Sequence, residues 1–231
     1  MEFIKQFKKS EITATVLIYL ILFLNITIFK DSPIAFISAF FGITYTILAG
    51  KGNPICYIFG ILGSSFYGYL AFHNALWGNL LLYMGYYVPM QIIGYFKWNK
   101  HLKSNTYEII KTSLNKKELL TLLFVCIFCC IISTYLLIIT KDKSPYIDSI
   151  TSVLSIAGMY LTVKRAIEQW WFWMIVNGLS ALMWIKIALE GEKVFSTVTM
   201  WSVYFLLAIY FLITWKKEIK SSIITATIKM P

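Results

Sequence analysis

The sequence predicts an all-α integral membrane protein with about eight transmembrane helices: two parallel three-helix repeats joined by a linker helix (3+1+3), plus one extra helix at the N-terminus. Composition is the first reason, because 58% of the 231 residues are hydrophobic and only 14% are charged, more apolar than a soluble domain requires. The second reason is a series of apolar stretches of bilayer length without the alternation of a β-barrel. The third is that a triplet of these stretches recurs later in the chain.

The apolar stretches give eight predicted spans, since a helix that crosses a bilayer needs roughly 17 to 25 residues. In chain order they are 12–29, 33–49, 54–72, 75–96, 119–140, 147–163, 170–189 and 196–215. The chain then divides into an N-terminus with the extra helix (1–32), a first repeat (33–98), a loop with the linker helix (99–146), a second repeat (147–215) and a basic tail (216–231). Pro89 predicts a kink in the fourth span.

The distribution of positive charge predicts the orientation. With eight spans, sixteen of the 21 lysine and arginine residues lie on the side of the two termini, and the other five lie on the opposite side. Because cytoplasmic loops are enriched in Lys and Arg, both termini and the long loop after Lys97 are expected in the cytoplasm. Topology and anionic lipid then account for the net charge of +10, so a nucleic-acid partner is not predicted.

The repeat is visible when the fourth and eighth spans are compared. A shift of about 118 residues superimposes two sets of aromatic positions, Tyr83, Tyr86, Trp98 and Trp201, Tyr204, Trp215. An odd number of spans separates the two copies, so both enter the membrane in the same direction and an axis along the membrane normal relates them. Repeats of this kind form transport pathways between them.

Two tryptophans and an amide share one face of the seventh span. Trp170, Trp173 and Asn177 fall at i, i+3 and i+7, a spacing that places them on the same side of a helix. Their polar groups are costly to leave unpaired in hydrocarbon, so this face is expected to look into protein or a cavity. For Trp170 the alternative is the aromatic belt at the membrane edge.

A second polar stripe follows the fourth span, where four polar or aromatic residues succeed one another at a spacing of four: Asn79, Tyr83, Tyr87 and Gln91. Hydrogen bonds between helices are the alternative role for these side chains. Trp201 and Tyr204 occupy the matching stripe of the second repeat. Facing each other, the stripes predict a cavity of aromatic rings and amides that suits a small planar solute.

Two spans of the first repeat carry small residues at a spacing of four: Ser38, Gly42, Thr46 and Gly60, Ser64, Gly68. A small face lets a neighbouring helix approach closely. We therefore expect tight helix packing within the first repeat, a feature that channels, transporters and membrane enzymes share.

The central parts of the predicted spans contain no Asp, Glu, Lys, Arg or His. Carriers coupled to protons or sodium usually need such a group inside the membrane, so coupling to an ion gradient is not expected. Hydrolases and acyltransferases need a nucleophile with a base, or a metal, and neither pattern occurs. Cys126, Cys129 and Cys130 lie in an apolar span without a nearby His, Asp or Glu. We predict that the protein is not an enzyme and has no cofactor or metal site.

Two motifs resemble those of the PnuC-type nicotinamide riboside transporters. One is the W-x-x-W-x-x-x-N signature formed by Trp170, Trp173 and Asn177. The other is the Gly-aromatic-aromatic-x-Trp sequence at 94–98, where the first repeat ends. The 3+1+3 organisation over 33–215 is similar to theirs as well. The second repeat departs from the pattern, since its last span ends at 211–215 without the glycine.

The resemblance implies facilitated diffusion of nicotinamide riboside across a bacterial cytoplasmic (inner) membrane, with inward flux sustained by a cytoplasmic nicotinamide riboside kinase. Indole and phenol rings suit the pyridinium cation, and amides suit its carboxamide and hydroxyl groups. Two alternatives stay open. One is transport of another vitamin or sugar-like solute, such as thiamin, riboflavin or a hexose, and the other is a membrane protein that does not transport. The sequence also leaves a homo-oligomer open.

Overall fold

The computed structural model describes residues 7–73, 80–104, 106–141 and 144–228, and in this part of the chain the fold is entirely helical. The helices are α1 (Lys9–Thr27), α2 (Pro33–Gly50), α3 (Cys56–His73), α4 (Leu81–Tyr87 continued by Val88–Asn99), α5 (Lys116–Ile139), α6 (Pro145–Val163), α7 (Gln169–Leu189) and α8 (Phe195–Ile228). Six of them are long and apolar enough to cross a membrane. The predicted fold class is confirmed, and α8 continues beyond its predicted end into the basic tail.

Side chains at the helix starts explain several element boundaries. Ser32 caps α2, and Asn115 and Glu118 form a reciprocal capping box at the start of α5, which satisfies N–H groups that have no partner within the helix. Asp31 acts on a distant helix, because its carboxylate accepts the N–H of Ser196 at 2.5 Å. A carboxylate is stabilised at that N-terminus by the helix dipole.

Helix α4 is irregular on the N-terminal side of Pro89. Leu81–Tyr87 forms a π-helical segment, and the N–H of Val88 donates to the carbonyl of Tyr83, five residues earlier. The sequence predicts a kink at Pro89, whereas the structure has the irregularity in the preceding turns. Segments of this kind are rare and often mark functional sites.

Six helices form a closed ring in the order α2, α3, α4, α6, α7, α8. Consecutive helices pack together within each repeat, and the first helix of each repeat packs on the last helix of the other, α2 on α8 and α6 on α4. Helix α5 packs against α6, and α1 packs against α2 and α8. The contacts have the symmetry expected of two parallel repeats, with the extra helix and the linker helix outside the ring.

Helices α2 and α6 end in the same way, which supports their equivalence. Two residues beyond each helix the backbone is left-handed, at Gly52 (φ 69°) and at Arg165 (φ 63°). The N–H of the next residue then returns to a carbonyl of the last helical turn at 3.0 Å in both repeats, as in a Schellman motif. Glycine adopts this conformation without steric cost, whereas Arg165 adopts it against its own preference.

The last tryptophan of each repeat caps the first helix of the other repeat. The Nε1–H of Trp98 donates to the carbonyl of Thr162 at 2.9 Å, and the Nε1–H of Trp215 donates to the carbonyl of Gly50 at 2.7 Å. Both indoles are fully buried. Helix C-termini leave carbonyls without intrahelical partners, so these two bonds join the repeats where α2 and α6 end.

The loop between α4 and α5 lies across this end of the ring, which we call the basic end because Lys51, Lys111 and Lys164 lie there. The N–H of Ile109 donates to the carbonyl of Gly52, and the N–H of Thr112 donates to that of Arg165, each at 2.9 Å. The loop therefore bonds to the equivalent left-handed turn of each repeat. It bridges the repeats a second time, beside the tryptophan caps.

Lys111 places a nearly buried charge on one of these caps. Its side chain is 4% exposed, and its ammonium lies 4.9 Å from the centre of the Trp215 ring. It donates to Glu108 Oε1 at 2.8 Å and also to Glu218. Burial acts to raise the pKa of Glu108, but hydrogen bonds and charge from the neighbouring lysines outweigh burial, so the pKa lies below its ordinary value.

Helix α1 is fastened to the ring near both of its ends. At the basic end Glu11 pairs with Lys51 at 2.6 Å and accepts the hydroxyl of Tyr210 at 2.5 Å. At the other end Asn25 Nδ2 donates to Thr199 Oγ1 at 2.9 Å. The extra helix thus contacts both repeats, through α2 and α8.

Replacing either capping tryptophan by phenylalanine should destabilise the protein. Trp98→Phe and Trp215→Phe keep an aromatic ring and remove one buried hydrogen bond, which costs about 1 kcal/mol on average. We expect lower midpoints of thermal unfolding in detergent for both variants. Trp171→Phe is the control, since Trp171 is 45% exposed on the outer surface. Unchanged midpoints for both cap variants would contradict the role of the caps.

Candidate functional site

The ring encloses a cavity between the two repeats, and each of its six helices contributes to the lining. The space open to the centre of a water molecule is about 100 Å³. The first repeat supplies Ser38, Gly42, Tyr45, Thr46, Ala49, Gly60, Gly63, Ser64, Tyr67, Tyr83, Tyr87 and Gln91, and the second supplies Met159, Thr162, Gln169, Trp170, Trp173, Asn177, Met200, Trp201 and Tyr204. The described residues of α1 and α5 contribute nothing to it.

Eight of the nine residues predicted from the sequence line this cavity: Tyr83, Tyr87, Gln91, Trp170, Trp173, Asn177, Trp201 and Tyr204. The ninth, Asn79, lies outside the described residues. The fourth, seventh and eighth predicted spans therefore do bring their polar stripes together.

Trp170 lies inside the ring and does not belong to an interfacial belt. It is 2% exposed, and its ring centre lies 5.3 Å from that of Phe211 and 5.5 Å from that of Trp215. The alternative role at the membrane edge is therefore excluded for Trp170. The exposed neighbour on the outer side of α7 is Trp171.

Several residues that line the cavity were not predicted from the sequence. Gln169 stands four residues before Trp173 and eight before Asn177, so the same helical periodicity could have found it. Tyr45 continues the small face of the second span, which also could have indicated it. Thr162 has no such signal, because its role depends on contact with another helix.

The small faces of α2 and α3 make room for cavity side chains as well as for helix packing. A Cβ at Gly42 would lie 1.9 Å from the hydroxyl oxygen of Tyr204, and one at Gly60 would lie 3.0 Å from Nε2 of Gln91. The expected close packing is also present, since a Cβ at Gly63 would lie 3.3 Å from the backbone nitrogen of Gly42. These glycines therefore set the positions of an amide and a phenol in the cavity.

Aromatic rings form much of the cavity wall. Tyr67 stacks on Tyr83 with ring centres 4.2 Å apart, and Tyr87 meets Tyr83 edge-on at 5.0 Å. On the side of the second repeat, Trp201 and Tyr204 meet edge-on at 5.7 Å. Pairs of this kind hold rings in fixed orientations, so the cavity presents preset flat and edge surfaces.

Two of the polar side chains in the cavity are held by neighbours. The Nε1–H of Trp173 donates to Thr162 Oγ1 at 3.0 Å, and Thr162 Oγ1 donates in turn to the carbonyl of Gly158 at 2.8 Å. Nε2 of Gln91 donates to Ser64 Oγ at 3.1 Å. These bonds fix the orientation of the Trp173 indole and of the Gln91 amide, including its other polar atom, Oε1.

Other polar atoms of the lining have no hydrogen-bond partner within the described residues. They are buried, and they comprise the hydroxyl of Tyr45, Oε1 of Gln91 and the Nε1–H groups of Trp170 and Trp201. A buried polar group without a partner costs about 1–3 kcal/mol. Such a set of N–H and O–H donors with one amide acceptor is suited to bind a polar solute.

Charge is absent from the described lining: it contains no Asp, Glu, Lys, Arg or His. In the described residues, no group of three His, Cys, Asp or Glu side chains is placed to hold a metal ion. The described lining therefore consists of ring faces and neutral hydrogen-bonding groups.

Comparison with known proteins agrees with this geometry. A family model described as "Nicotinamide mononucleotide transporter" matches residues 32–217. A protein named nicotinamide riboside transporter PnuC from Neisseria mucosa is 29% identical over 216 residues, which cover 88% of this chain and 81% of that protein. Its namesake from Haemophilus influenzae is 29% identical over 192 residues, 82% of either chain.

A solved structure, described as the crystal structure of the vitamin B3 transporter PnuC, superimposes with a TM-score of 0.81 at 27% identity. The match covers 93% of this chain and 94% of that one. The fold, the cavity between repeats and the matching residues 32–217 lead to one conclusion: the chain is a membrane transporter of the nicotinamide mononucleotide transporter family.

Proposed function

We propose that this protein carries nicotinamide riboside across a bacterial inner membrane by facilitated diffusion. The observation that carries the proposal is the uncharged cavity of aromatic rings with unpaired polar atoms, located between the repeats. Relatives that cover most of the chain are named nicotinamide riboside transporters, which favours this solute over thiamin, riboflavin or a hexose.

The chemistry of the riboside suits the lining. Its pyridinium ring is a planar cation, and indole and phenol faces attract cations, most strongly where water is excluded. Its carboxamide and hydroxyl groups supply an acceptor for the free Nε1–H groups of Trp170 and Trp201 and a donor for Oε1 of Gln91. We infer that Trp173, Asn177, Tyr83, Tyr87 and Tyr204 complete the contacts, and that Asn79 joins them.

The mononucleotide named in the family description differs from the riboside by one phosphate. In this cavity the negatively charged phosphate would have no Lys or Arg partner among the described lining residues. An uncompensated buried charge is costly. The lining therefore favours the riboside. Phosphorylation by a cytoplasmic nicotinamide riboside kinase would then trap the solute after entry, and net uptake would not require an ion gradient.

The orientation follows from charge. Sixteen of the 21 lysine and arginine residues lie on the side assigned to the termini, and the positive-inside rule places that side, with the basic end of the ring, in the cytoplasm. The riboside would then be released at the end where the tryptophan caps and the α4–α5 loop join the repeats.

The purified protein in liposomes should exchange labelled nicotinamide riboside against unlabelled riboside without a proton or sodium gradient. The reason is that the described cavity lining contains no Asp, Glu, Lys, Arg or His, the side chains on which coupling to protons or sodium usually depends. The measurement is counterflow, and parallel samples test labelled thiamin and labelled riboflavin, each against its own unlabelled form. An imposed pH difference that drove accumulation of the riboside would overturn facilitated diffusion, and counterflow only with thiamin or riboflavin would overturn the assignment of the solute.

Trp173→Ala should weaken binding of nicotinamide riboside by at least about five- to thirtyfold, because a desolvated cation–π contact contributes about 1–2 kcal/mol. Trp171→Ala is the matched control. It removes the same side chain two positions away, on the outer face of α7, where Trp171 is 45% exposed. Calorimetric titration of folded, purified variants measures both affinities. Equal losses in the two variants, or no loss in Trp173→Ala, would remove Trp173 from the binding site.

Nicotinamide mononucleotide should bind at least about a hundredfold more weakly than the riboside, since burying its phosphate without a cation costs several kcal/mol. Titration of the same preparation with both compounds gives the ratio directly. Comparable affinities would show that a cation reaches the phosphate, and the proposed preference for the riboside would then be wrong.

A further inference from the structure

A second cavity lies on the outer surface of the ring and shares no lining residue with the first. It measures about 610 Å³ by the same criterion that gives 100 Å³ for the central cavity. Helices α5, α6, α7 and α8 all contribute to it. We call it the outer groove; its floor is α7, through Trp171, Phe172 and Ile175.

The groove exists because the outer face of α7 is left uncovered. Helix α5 packs against α6, and α8 packs against α7 from the side of α2. Between α5 and α8, Trp171 and Ile175 are each 45% exposed. Leu123 of α5 and Leu212 of α8 form the two apolar walls, so most of the groove is hydrocarbon in character and opens toward lipid.

The end of the groove that lies at the basic end of the ring is polar. Lys216 and Lys220, one turn apart on α8, line it, and the ammonium of Lys216 lies 5.0 Å from the centre of the Trp171 ring. Both lysines are exposed. Among the described residues neither forms an ion pair, so two positive charges at this mouth have no carboxylate partner.

Glu168 lines the same mouth and is only half satisfied. Its Oε1 accepts the hydroxyl of Ser113 at 2.8 Å and the N–H of Leu114 at 3.1 Å. Its Oε2 is buried and has no donor within the described residues. A buried carboxylate oxygen without a donor is costly, and the outer groove is the cavity that Glu168 lines.

We propose that the outer groove binds one phosphatidylglycerol molecule. Its acyl chains lie along α7 between Leu123 and Leu212, its phosphate lies between Lys216 and Lys220, and a hydroxyl of its glycerol head group donates to Oε2 of Glu168. Two cations against one carboxylate favour an anionic phosphodiester, and lysines at the membrane surface attract anionic lipid. The unpaired oxygen of Glu168 adds a requirement for a head group that donates a hydrogen bond.

The test is lipid binding to the delipidated, full-length protein, followed by native mass spectrometry. Three lipids with identical acyl chains separate the contributions: phosphatidylglycerol, phosphatidylmethanol, which has the same charge but no hydroxyl, and phosphatidylcholine, which has no net charge. We expect one tightly bound phosphatidylglycerol per chain, weaker binding of phosphatidylmethanol, and the weakest binding of phosphatidylcholine.

Substitutions assign the site. Lys216→Gln combined with Lys220→Gln should weaken phosphatidylglycerol binding by at least about tenfold, whereas Lys217→Gln, an exposed lysine of the same helix that does not line the groove, should leave it unchanged. Glu168→Gln places an amide NH₂ toward the head group and should abolish the preference for phosphatidylglycerol over phosphatidylmethanol. The lysine variants should keep their affinity for nicotinamide riboside, so this test is separate from that of the transport function.

Two outcomes would overturn the proposal. Equal retention of the three lipids, unaffected by the double lysine substitution, would show that the groove is ordinary lipid-facing surface. A lipid-free oligomer in which Leu123→Cys and Leu212→Cys cross-link to a neighbouring copy would show that another chain occupies the groove.

Discussion

The reciprocal indole caps are the constraint on which the rest of this structure depends. Each repeat ends in a buried tryptophan whose N–H closes the C-terminal end of the other repeat's first helix, with Trp98 on α6 and Trp215 on α2. Because the two bonds are related by the repeat symmetry, they hold α4 beside α6 and α8 beside α2 at the same end. Those are the two contacts that turn a pair of three-helix units into a closed ring with an interior.

The caps are also connected to the cavity and to the surface of the basic end. Trp170 contacts the ring of Trp215, and its own N–H belongs to the unpaired polar atoms of the cavity. The ammonium of Lys111, held by Glu108, also contacts the ring of Trp215. A change in the position of Trp215 would therefore shift the contacts of Trp170, which lines the cavity, and of the loop that bridges the repeats.

The closed ring of helices keeps polar side chains away from the hydrocarbon of the membrane. Unpaired polar atoms cannot face hydrocarbon without a large cost, so the amides and phenols face inward, where a polar solute can pair with them. The linker helix α5 instead carries large apolar side chains on its outer face: Phe124 is 71% exposed and Ile131 is 65% exposed, as suits a helix that borders hydrocarbon. The described lining contains no charged side chain, and the proposed preference for the riboside over the mononucleotide depends on that absence.

The sequence by itself determined the spans, the repeat and eight of the 21 residues that line the cavity, because hydropathy and a period of 3.6 residues are local properties of each helix. Gln91, Trp173 and Asn177 could be identified in this way. Only the tertiary structure decided which faces meet. The caps join residues 64 and 165 positions apart, and the partnership of Thr162 with Trp173 requires the packing of α6 on α7. From the sequence, the small residues of α2 are expected only to pack against another helix. The structure shows that Gly42 also makes room for the hydroxyl of Tyr204. Periodicity shows which residues share one face of a helix. Which other helix that face contacts is decided only when the ring closes.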